Sequence, residues 1–252
     1  MKLELNNLYV NAGDTRLVEN ISLTIESGSV LALVGASGSG KSITCSALFD
    51  LLPNNLRYEC DIRLDDQAIN VRSIRGKHLS CIMQNPASAF NPLQTMKQHG
   101  VETMQASGQK FEQTTLIEAM RDAGLQDCEN TLTLYPFQMS GGMLQRMMLA
   151  LALVSCAELL VADEPTTDLD LVVQAHILNR LEQISKKRNL GVLLVTHDFG
   201  VVARMADHVA VMSDGQIVEQ GSVEQIFHQP THPATKALLN AHLSLYKEVS
   251  NG

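Results

Sequence analysis

Residues 30–42 read VLALVGASGSGKS, an apolar run followed by the pattern G-x-x-x-x-G-K-[ST] of a phosphate-binding loop. The apolar run predicts a buried strand, and we expect a helix to begin near Lys41, which gives the strand–loop–helix setting that the pattern requires. Glycine at positions 35, 38 and 40 allows successive backbone N–H groups to point inward and form a nest for a phosphate at the positive end of the helix dipole. This stretch therefore predicts an α/β fold built around a nucleotide.

Every residue of this loop is a candidate for binding the phosphates. The loop residues are Gly35, Ala36, Ser37, Gly38, Ser39, Gly40, Lys41 and Ser42. Lys41 would supply a compact positive charge to the β- and γ-phosphates. The hydroxyl of Ser42 would bind Mg²⁺, because that ion prefers hard oxygen ligands and retains several waters.

Two adjacent carboxylates, Asp163 and Glu164, follow a second apolar run that begins at Leu159. We expect their side chains to point to opposite faces of a buried strand, so that each can take a different role. Asp163 is assigned to the Mg²⁺ shell through a water molecule. Glu164 is assigned to orient and polarise the water that attacks the γ-phosphate.

Two further polar residues follow apolar strands. Gln84 ends a short strand candidate that begins at Leu79, and its amide could reach either Mg²⁺ or the attacking water. His197 follows the apolar run Val192 to Thr196 and could contact the γ-phosphate and help to hold that water. We therefore predict Gln84 and His197 as catalytic residues together with Glu164.

A second glycine turn, Ser140-Gly141-Gly142, opens a helix rich in Met and Leu. Two glycines at a helix start leave N–H groups available to bind an anion. A second anion site is explained if two subunits pack head to tail, so that this turn caps the γ-phosphate held by the loop of the partner. ATP would then join the subunits, and its hydrolysis would release them.

The organisation of the chain is consistent with this site. The pattern of apolar and polar residues from 2 to 34 predicts three strands, which indicates an antiparallel layer beside the nucleotide. A helical subdomain is predicted at about 92–155, and the alternation of strands and helices from Leu159 indicates a parallel sheet. The pair Asp214-Gly215 predicts a hairpin. We therefore expect a single domain over residues 1–252 that ends in a helical tail at about 222–252.

Composition excludes several classes of protein. The chain has 252 residues, 45% of them hydrophobic, which is sufficient for a large core. The longest apolar stretch, Met147 to Ala157, is well short of the roughly 20 residues that span a bilayer, and the N-terminus lacks the apolar region of a signal peptide. A net charge of -8 argues against a nucleic acid partner. The five cysteines lack C-x-x-C spacing and are predicted to be small buried apolar residues.

The motifs, in this order, resemble those of the nucleotide-binding subunits of ATP-binding cassette transporters over essentially the whole chain. The resemblance implies a RecA-like P-loop NTPase core that binds ATP and Mg²⁺ and hydrolyses ATP. It makes Thr167 to Asp170 the D-loop. The implied partners are a second ATPase subunit, either a paralogue or another copy, two membrane permease subunits and an extracytoplasmic substrate-binding protein. The implied location is peripheral, at the cytoplasmic face of the inner membrane.

Shorter motifs resemble the oligopeptide/nickel branch of these importers. They are Gln84-Asn85-Pro86, Phe90-Asn91-Pro92, and His232-Pro233 with Thr235. Residues 139–148 and 163–170 resemble those of nickel import ATPases, which implies that ATP hydrolysis drives uptake of nickel or a nickel chelate. Oligopeptide or dipeptide import and a soluble, non-transport ABC ATPase are the alternatives. The last would be expected to have a coiled-coil insertion, a second cassette or a basic surface, and the sequence has none of them.

Two local patterns concern adenine stacking and metal binding. Ala12 stands where the family usually has an aromatic residue that stacks on adenine, and Tyr9 is expected on the opposite face of the strand. His228 and His232 are spaced i, i+4 like a helical metal pair, but Pro233 disfavours helix at His232. We therefore do not expect these two histidines to share a helix face.

Overall fold

The computed structural model describes residues 1–166 and 171–249. These residues form two compact units, the first comprising Met1–Ser73 with the described residues from Gly191 onward, and the second lying within Ile74–Leu190. The strands are β1 (Lys2–Ala12), β2 (Thr15–Glu26), β3 (Val30–Gly35), β4 (Leu56–Leu64), β5 (Gln67–Ala68), β6 (Leu79–Ile82), β7 (Leu159–Asp163), β8 (Gly191–Thr196), β9 (His208–Ser213) and β10 (Gln216–Ser222). The helices are α1 (Lys41–Leu48), α2 (Pro86–Ala89), α3 (Met96–Ala106), α4 (Gln113–Asp122), α5 (Cys128–Thr131), α6 (Gly141–Val154), α7 (Leu171–Arg188), α8 (Phe199–Met205), α9 (Val223–His228) and α10 (Pro233–Val249).

The N-terminal strands form an antiparallel sheet in the order β2-β1-β4-β5. Alternation along β1 buries Leu3, Leu5, Leu8 and Val10, and the register is shifted near Asn7, which has a φ of 51°. The predicted antiparallel layer is therefore confirmed. Strand β4 begins at Leu56, and its first part pairs with β1 as far as Ala12.

The phosphate loop follows a buried strand of a second sheet in the first unit. Strand β3 lies between β8 and β9 and is parallel to both, with Val34 paired to Thr196 and to Val211. All residues of β3 and β8 are buried, as expected for parallel strands covered on both faces. Strands β9 and β10 form the hairpin predicted from Asp214-Gly215, and both turn residues have positive φ. The carboxyl ends of β3 and β8 therefore lie side by side.

The second unit pairs a short parallel ladder with several helices. Strands β6 and β7 are parallel, with Ile82 opposite Ala162. Helix α6 is the apolar centre of the unit and packs against α2, α3 and α4. Together with the antiparallel layer, these helices confirm the predicted α/β fold class with an inserted helical part.

Some local expectations are confirmed, and one is wrong. Tyr9 packs against Arg16, the cross-strand partner of Asn11, so it lies on the Asn11 face of β1 and opposite Ala12, as expected. His228 ends α9 and His232 precedes α10, so the two histidines do not share a helix face. The burial predicted for the five cysteines holds only for Cys45 and Cys128. Cys60 and Cys81 are half-buried, and Cys156 is exposed in the turn after α6, where its φ is 55°.

In the part of the chain that the structure describes, no helix is both long enough and apolar enough to cross a membrane.

The C-terminal helix is attached to β10 through the carboxylate of Glu219. This carboxylate accepts hydrogen bonds from the Thr231 N–H (2.7 Å), the Thr231 hydroxyl (2.8 Å) and the His232 N–H (3.0 Å). Burial would raise the pKa of Glu219, but the neighbouring Thr235 hydroxyl and these donors together lower it to about 2. Glu219 therefore anchors the segment that leads into α10.

Replacing Glu219 by glutamine should lower the free energy of unfolding by about 1 to 3 kcal/mol, because charge-assisted hydrogen bonds become neutral ones. Since the pKa in the folded protein is depressed from 4.5 to about 2, the stabilisation is fully present above about pH 5 and is lost as the pH falls towards 2. Urea unfolding at pH 7 and pH 3 measures the difference. Glu59→Gln, an exposed strand carboxylate in the same unit, is the control. Equal losses for the two variants would contradict the anchoring role.

Candidate functional site

The loop between β3 and α1 has the backbone that a phosphate nest needs. Gly38 has a φ of 80° and Gly40 a φ of 107°, conformations that L side chains rarely adopt. The Ser39 N–H donates to the Ala36 carbonyl (3.2 Å), which closes a turn within the loop. The glycines are therefore required by the chain path itself.

The side chain of Lys41 lies inside the loop. It is buried, and its Nζ donates to the carbonyls of Gly35 (2.8 Å) and Ala36 (3.0 Å). Ser42 is exposed at the start of α1. The predicted cationic residue thus faces its own loop, where a phosphate bound in the nest would lie.

A buried hydroxyl in the loop lacks a hydrogen-bond partner. Ser39 Oγ has none among the described residues, although it is shielded from solvent. A Cβ at Gly35 would lie 2.6 Å from this oxygen and 2.3 Å from the carbonyl oxygen of Met212, so this side of the loop has no room for a side chain at position 35. Because an unpaired buried hydroxyl costs free energy, a phosphate oxygen that accepts from Ser39 would stabilise the loop.

The turn of the β9–β10 hairpin is hydrogen-bonded to the phosphate loop. The Gly215 N–H donates to the Ser39 carbonyl (3.1 Å), and the Gly215 carbonyl accepts from the Glu19 N–H (2.8 Å). A Cβ at Gly215 would lie 2.5 Å from the Leu17 carbonyl oxygen, so a larger residue would displace this support. The Asp-Gly signal predicted the turn, but no local sequence signal indicated that the turn contacts the phosphate loop.

His197 lies at the same sheet edge as the loop. It is exposed, and it directly follows β8, whose last residue, Thr196, pairs with Val34 of β3. The Asp198 N–H donates to the Thr196 hydroxyl (3.0 Å), which fixes the turn around His197. The first unit therefore brings His197 and the loop residues to one edge.

The second unit brings Gln84 and Glu164 together. The side-chain amide of Gln84 donates to Glu164 Oε2 at 3.0 Å. Strand β7 ends at Asp163, and Glu164 has a φ of 45°, so strand alternation does not set the direction of the Glu164 side chain as the sequence argument assumed. A left-handed conformation at a non-glycine residue costs about 1 to 3 kcal/mol and is typical of functional sites.

The second glycine turn begins α6 as predicted. Ser140 caps the helix by accepting from the Met143 N–H (3.3 Å). A Cβ at Gly141 would have no neighbour within 4 Å, and one at Gly142 would meet Val173 at 3.4 Å. Packing within the described chain therefore does not explain glycine at position 141.

Helix α6 is connected to the loops that carry the other predicted residues of this unit. The buried amide of Gln145 donates to the carbonyl of Pro165 (2.6 Å), next to Glu164. The N–H of Met83, next to Gln84, is directed at the sulfur of Met148 (3.4 Å). No sequence pattern indicated these contacts. The predicted D-loop, Thr167 to Asp170, lies outside the described residues.

A buried parallel strand, a glycine-rich loop with an inward lysine, and a following helix define a P-loop nucleoside triphosphatase. Comparison with known sequences extends this classification. The family model described as ABC transporter matches residues 18–167. The nickel import ATP-binding protein NikD of Rhodospirillum rubrum is 54% identical over 91% of this chain and 89% of its own length. NikD of Pseudomonas putida is 45% identical over 95% of each chain.

Solved structures agree on the fold. The dimeric post-hydrolysis state of the ATP-binding cassette MJ0796 with ADP and Pi superposes with a TM-score of 0.76 at 23% identity, covering 88% of this chain and 98% of that one. The ATP-binding subunit of an ABC transporter gives a TM-score of 0.78 at 22% identity, covering 96% of this chain and 100% of that one. The chain belongs to the ABC transporter family, and it is an ATPase of that family.

Proposed function

We propose that this chain is the ATP-hydrolysing subunit of an importer for nickel or a nickel chelate, acting as one ATPase domain over residues 1–252. The observation that carries the proposal is 54% identity over 91% of the chain to the nickel import ATP-binding protein of Rhodospirillum rubrum. The chain would act peripherally at the cytoplasmic face of the inner membrane. Its partners would be two membrane permease subunits and an extracytoplasmic substrate-binding protein.

ATP binding is assigned to the loop from Gly35 to Ser42. The inward ammonium of Lys41 would exchange its bonds to the Gly35 and Ala36 carbonyls for bonds to the β- and γ-phosphates. The unpaired hydroxyl of Ser39 and the N–H groups of the loop would donate to phosphate oxygens.

The donor set for Mg²⁺ is the Ser42 hydroxyl, the Gln84 amide oxygen and Asp163, the last through water. These are hard oxygen ligands, which fit this ion. When bound there, the ion would neutralise charge on the phosphates. The Gln84 amide nitrogen already donates to Glu164, so its amide oxygen is the atom assigned to the ion.

Hydrolysis is assigned to Glu164, Gln84 and His197. Glu164 would accept a proton from the attacking water as the water oxygen bonds to the γ-phosphorus and the bond to the β–γ bridging oxygen breaks, giving ADP and phosphate. The bond from Gln84 holds the carboxylate of Glu164 in one orientation. His197 would donate to the γ-phosphate and keep the water in line.

A second ATPase subunit, a paralogue or another copy, would complete the site through Ser140, Gly141 and Gly142. The absence of any described neighbour around Gly141 supports this step, because a close approach by a phosphate from outside the chain explains a glycine that internal packing does not require. The N-terminus of α6 would add its partial positive charge.

Exposed apolar side chains in the second unit support docking of membrane subunits. Leu93 is 83% exposed and Phe137 is 74% exposed, and Tyr135 stacks on Phe137. The two segments are adjacent, because the Met96 N–H donates to the Leu134 carbonyl (2.9 Å). Large apolar side chains concentrated in this way are typical of protein interfaces.

Uptake of trace radiolabelled nickel tests the proposal. Cells whose single copy carries Lys41→Ala should lose uptake at least about tenfold, because the charge that binds the phosphates is removed. Cells with Lys77→Ala, an exposed lysine outside the site, should take up nickel like wild type. Excess oligopeptide should not compete with nickel in wild-type cells.

Two results would overturn the nickel assignment. The first is unchanged uptake in the Lys41→Ala cells after other nickel routes have been deleted. The second is competition by peptides together with Lys41-dependent uptake of labelled peptide, which would assign the subunit to peptide import instead.

A further inference from the structure

The turn that carries His197 is built around the carboxylate of Asp198. Asp198 Oδ1 accepts from the N–H groups of Gly200 (2.7 Å) and Val201 (3.4 Å) and so caps α8. The Asp198 N–H donates to the hydroxyl of Thr196, the residue before His197. The backbone on both sides of His197 is therefore fixed by the placement of Asp198.

Helix α10 reaches the same carboxylate from the C-terminal part of the chain. His242 Nδ1 lies 3.9 Å from Asp198 Oδ1, and the His242 side chain is 15% exposed. The His242 ring also lies 6.0 Å, between centroids, from the ring of Phe199, which is 1% exposed. Both residues that follow His197 therefore contact one histidine of α10.

Apolar residues also pack α10 against the first unit's core. Leu239 of α10 is buried in a core cluster with Phe199, Val202 and Ile226. Phe227 of α9 packs edge-on against Phe199 at 5.6 Å. An apolar residue at position 242 would keep these contacts, so the polar contact of the imidazole with Asp198 can be removed separately.

We propose that His242 is a positioning residue that acts through Asp198 to hold His197 in its working orientation, so that the C-terminal helix sets part of the rate of ATP hydrolysis. The proposal rests on the role proposed above for His197. It assigns a function to the tail, which lies outside the residues that bind nucleotide. The contact at 3.9 Å is too long for a direct hydrogen bond, so its effect on the rate is modest.

The test measures ATP turnover of the assembled transporter with His242→Leu and His242→Asn. His242→Leu should lower kcat about 3- to 5-fold with the KM for ATP and the Tm unchanged, because one partly buried polar contact with Asp198 is lost while the apolar packing is kept. His242→Asn should recover most of kcat, since its amide can direct a donor at Asp198. His228→Leu, an exposed histidine at the end of α9, should leave kcat unchanged.

A double-mutant cycle tests whether His242 acts through Asp198. In an Asp198→Asn background, which keeps an N-cap residue, His242→Leu should cause no further loss of kcat. If the losses of kcat caused by Asp198→Asn and His242→Leu add fully in the double variant, the proposal is overturned. It is also overturned if His242→Leu and His242→Asn lower kcat equally and lower the Tm equally.

His197→Ala distinguishes the role proposed for His197 from the role proposed for His242. If this variant keeps wild-type turnover, the role proposed for His197 is wrong. If it loses turnover while both His242 variants keep it, the positioning role of His242 alone is overturned.

Discussion

Replacing Glu164 by glutamine should reduce ATP turnover at least about 100-fold, because the group that accepts the proton of the attacking water is removed. ATP binding should stay at the wild-type level, since the loop from Gly35 to Ser42 is unaltered. The fold should also persist, because the Gln84 amide can donate to the oxygen of the new amide as it does to the carboxylate. Phosphate release and retention of labelled ATP, measured on the assembled transporter, check both expectations.

The control for this substitution is Glu118→Gln, an exposed carboxylate on α4. It should hydrolyse ATP at the wild-type rate. Wild-type turnover in Glu164→Gln would show that another group activates the water. Loss of ATP binding together with turnover would instead indicate that Glu164 supports the nucleotide site structurally.

Substituting Gly141 by glutamate should lower the rate of ATP hydrolysis at least about 100-fold, while an isolated subunit still binds ATP. The subunit has room for the new side chain, since a Cβ at position 141 meets nothing within 4 Å. The helix dipole stabilises a carboxylate in the first turn of α6, so the substitution should not destabilise the helix. The loss would arise from repulsion between this carboxylate and a γ-phosphate held by the other subunit.

Thr114→Glu places the same charge in the first turn of α4 and should leave turnover intact. Isothermal calorimetry of ATP binding to the isolated subunit, followed by turnover of the assembled transporter, separates the two effects. Unchanged turnover in Gly141→Glu would contradict the head-to-tail arrangement. Loss of ATP binding to the isolated subunit would place Gly141 in the subunit's own nucleotide site.

The sequence predicted the parts of the fold in which local pattern and burial agree. Strand β3, its loop and α1 were recognisable because an apolar run, three glycines and a lysine coincide. The hairpin of β9 and β10 was predicted by Asp214-Gly215, whose positive φ values require such residues. In these segments neighbouring residues determine the backbone.

Contacts between distant segments could not be predicted in this way. The bond from Gln145 to Pro165, the bond from Gly215 to Ser39 and the anchoring of α10 by Glu219 all join residues far apart in sequence. The left-handed backbone of Glu164 was also missed, because the preceding apolar run suggested that the strand continued. Tertiary contacts set these features, so the local sequence pattern does not indicate them.

The support of the phosphate loop by Gly215 has a consequence for synthesis of the chain. Strand β3 lies between β8 and β9, and the loop carbonyl of Ser39 is held by a turn encoded far downstream. At translation rates of about 5 to 20 residues per second, roughly 10 to 35 seconds pass between the emergence of the loop and that of the turn. For most of that interval strand β3 lacks both of its neighbours in the sheet, so the phosphate loop gains its support only when the last strands of the sheet have been made.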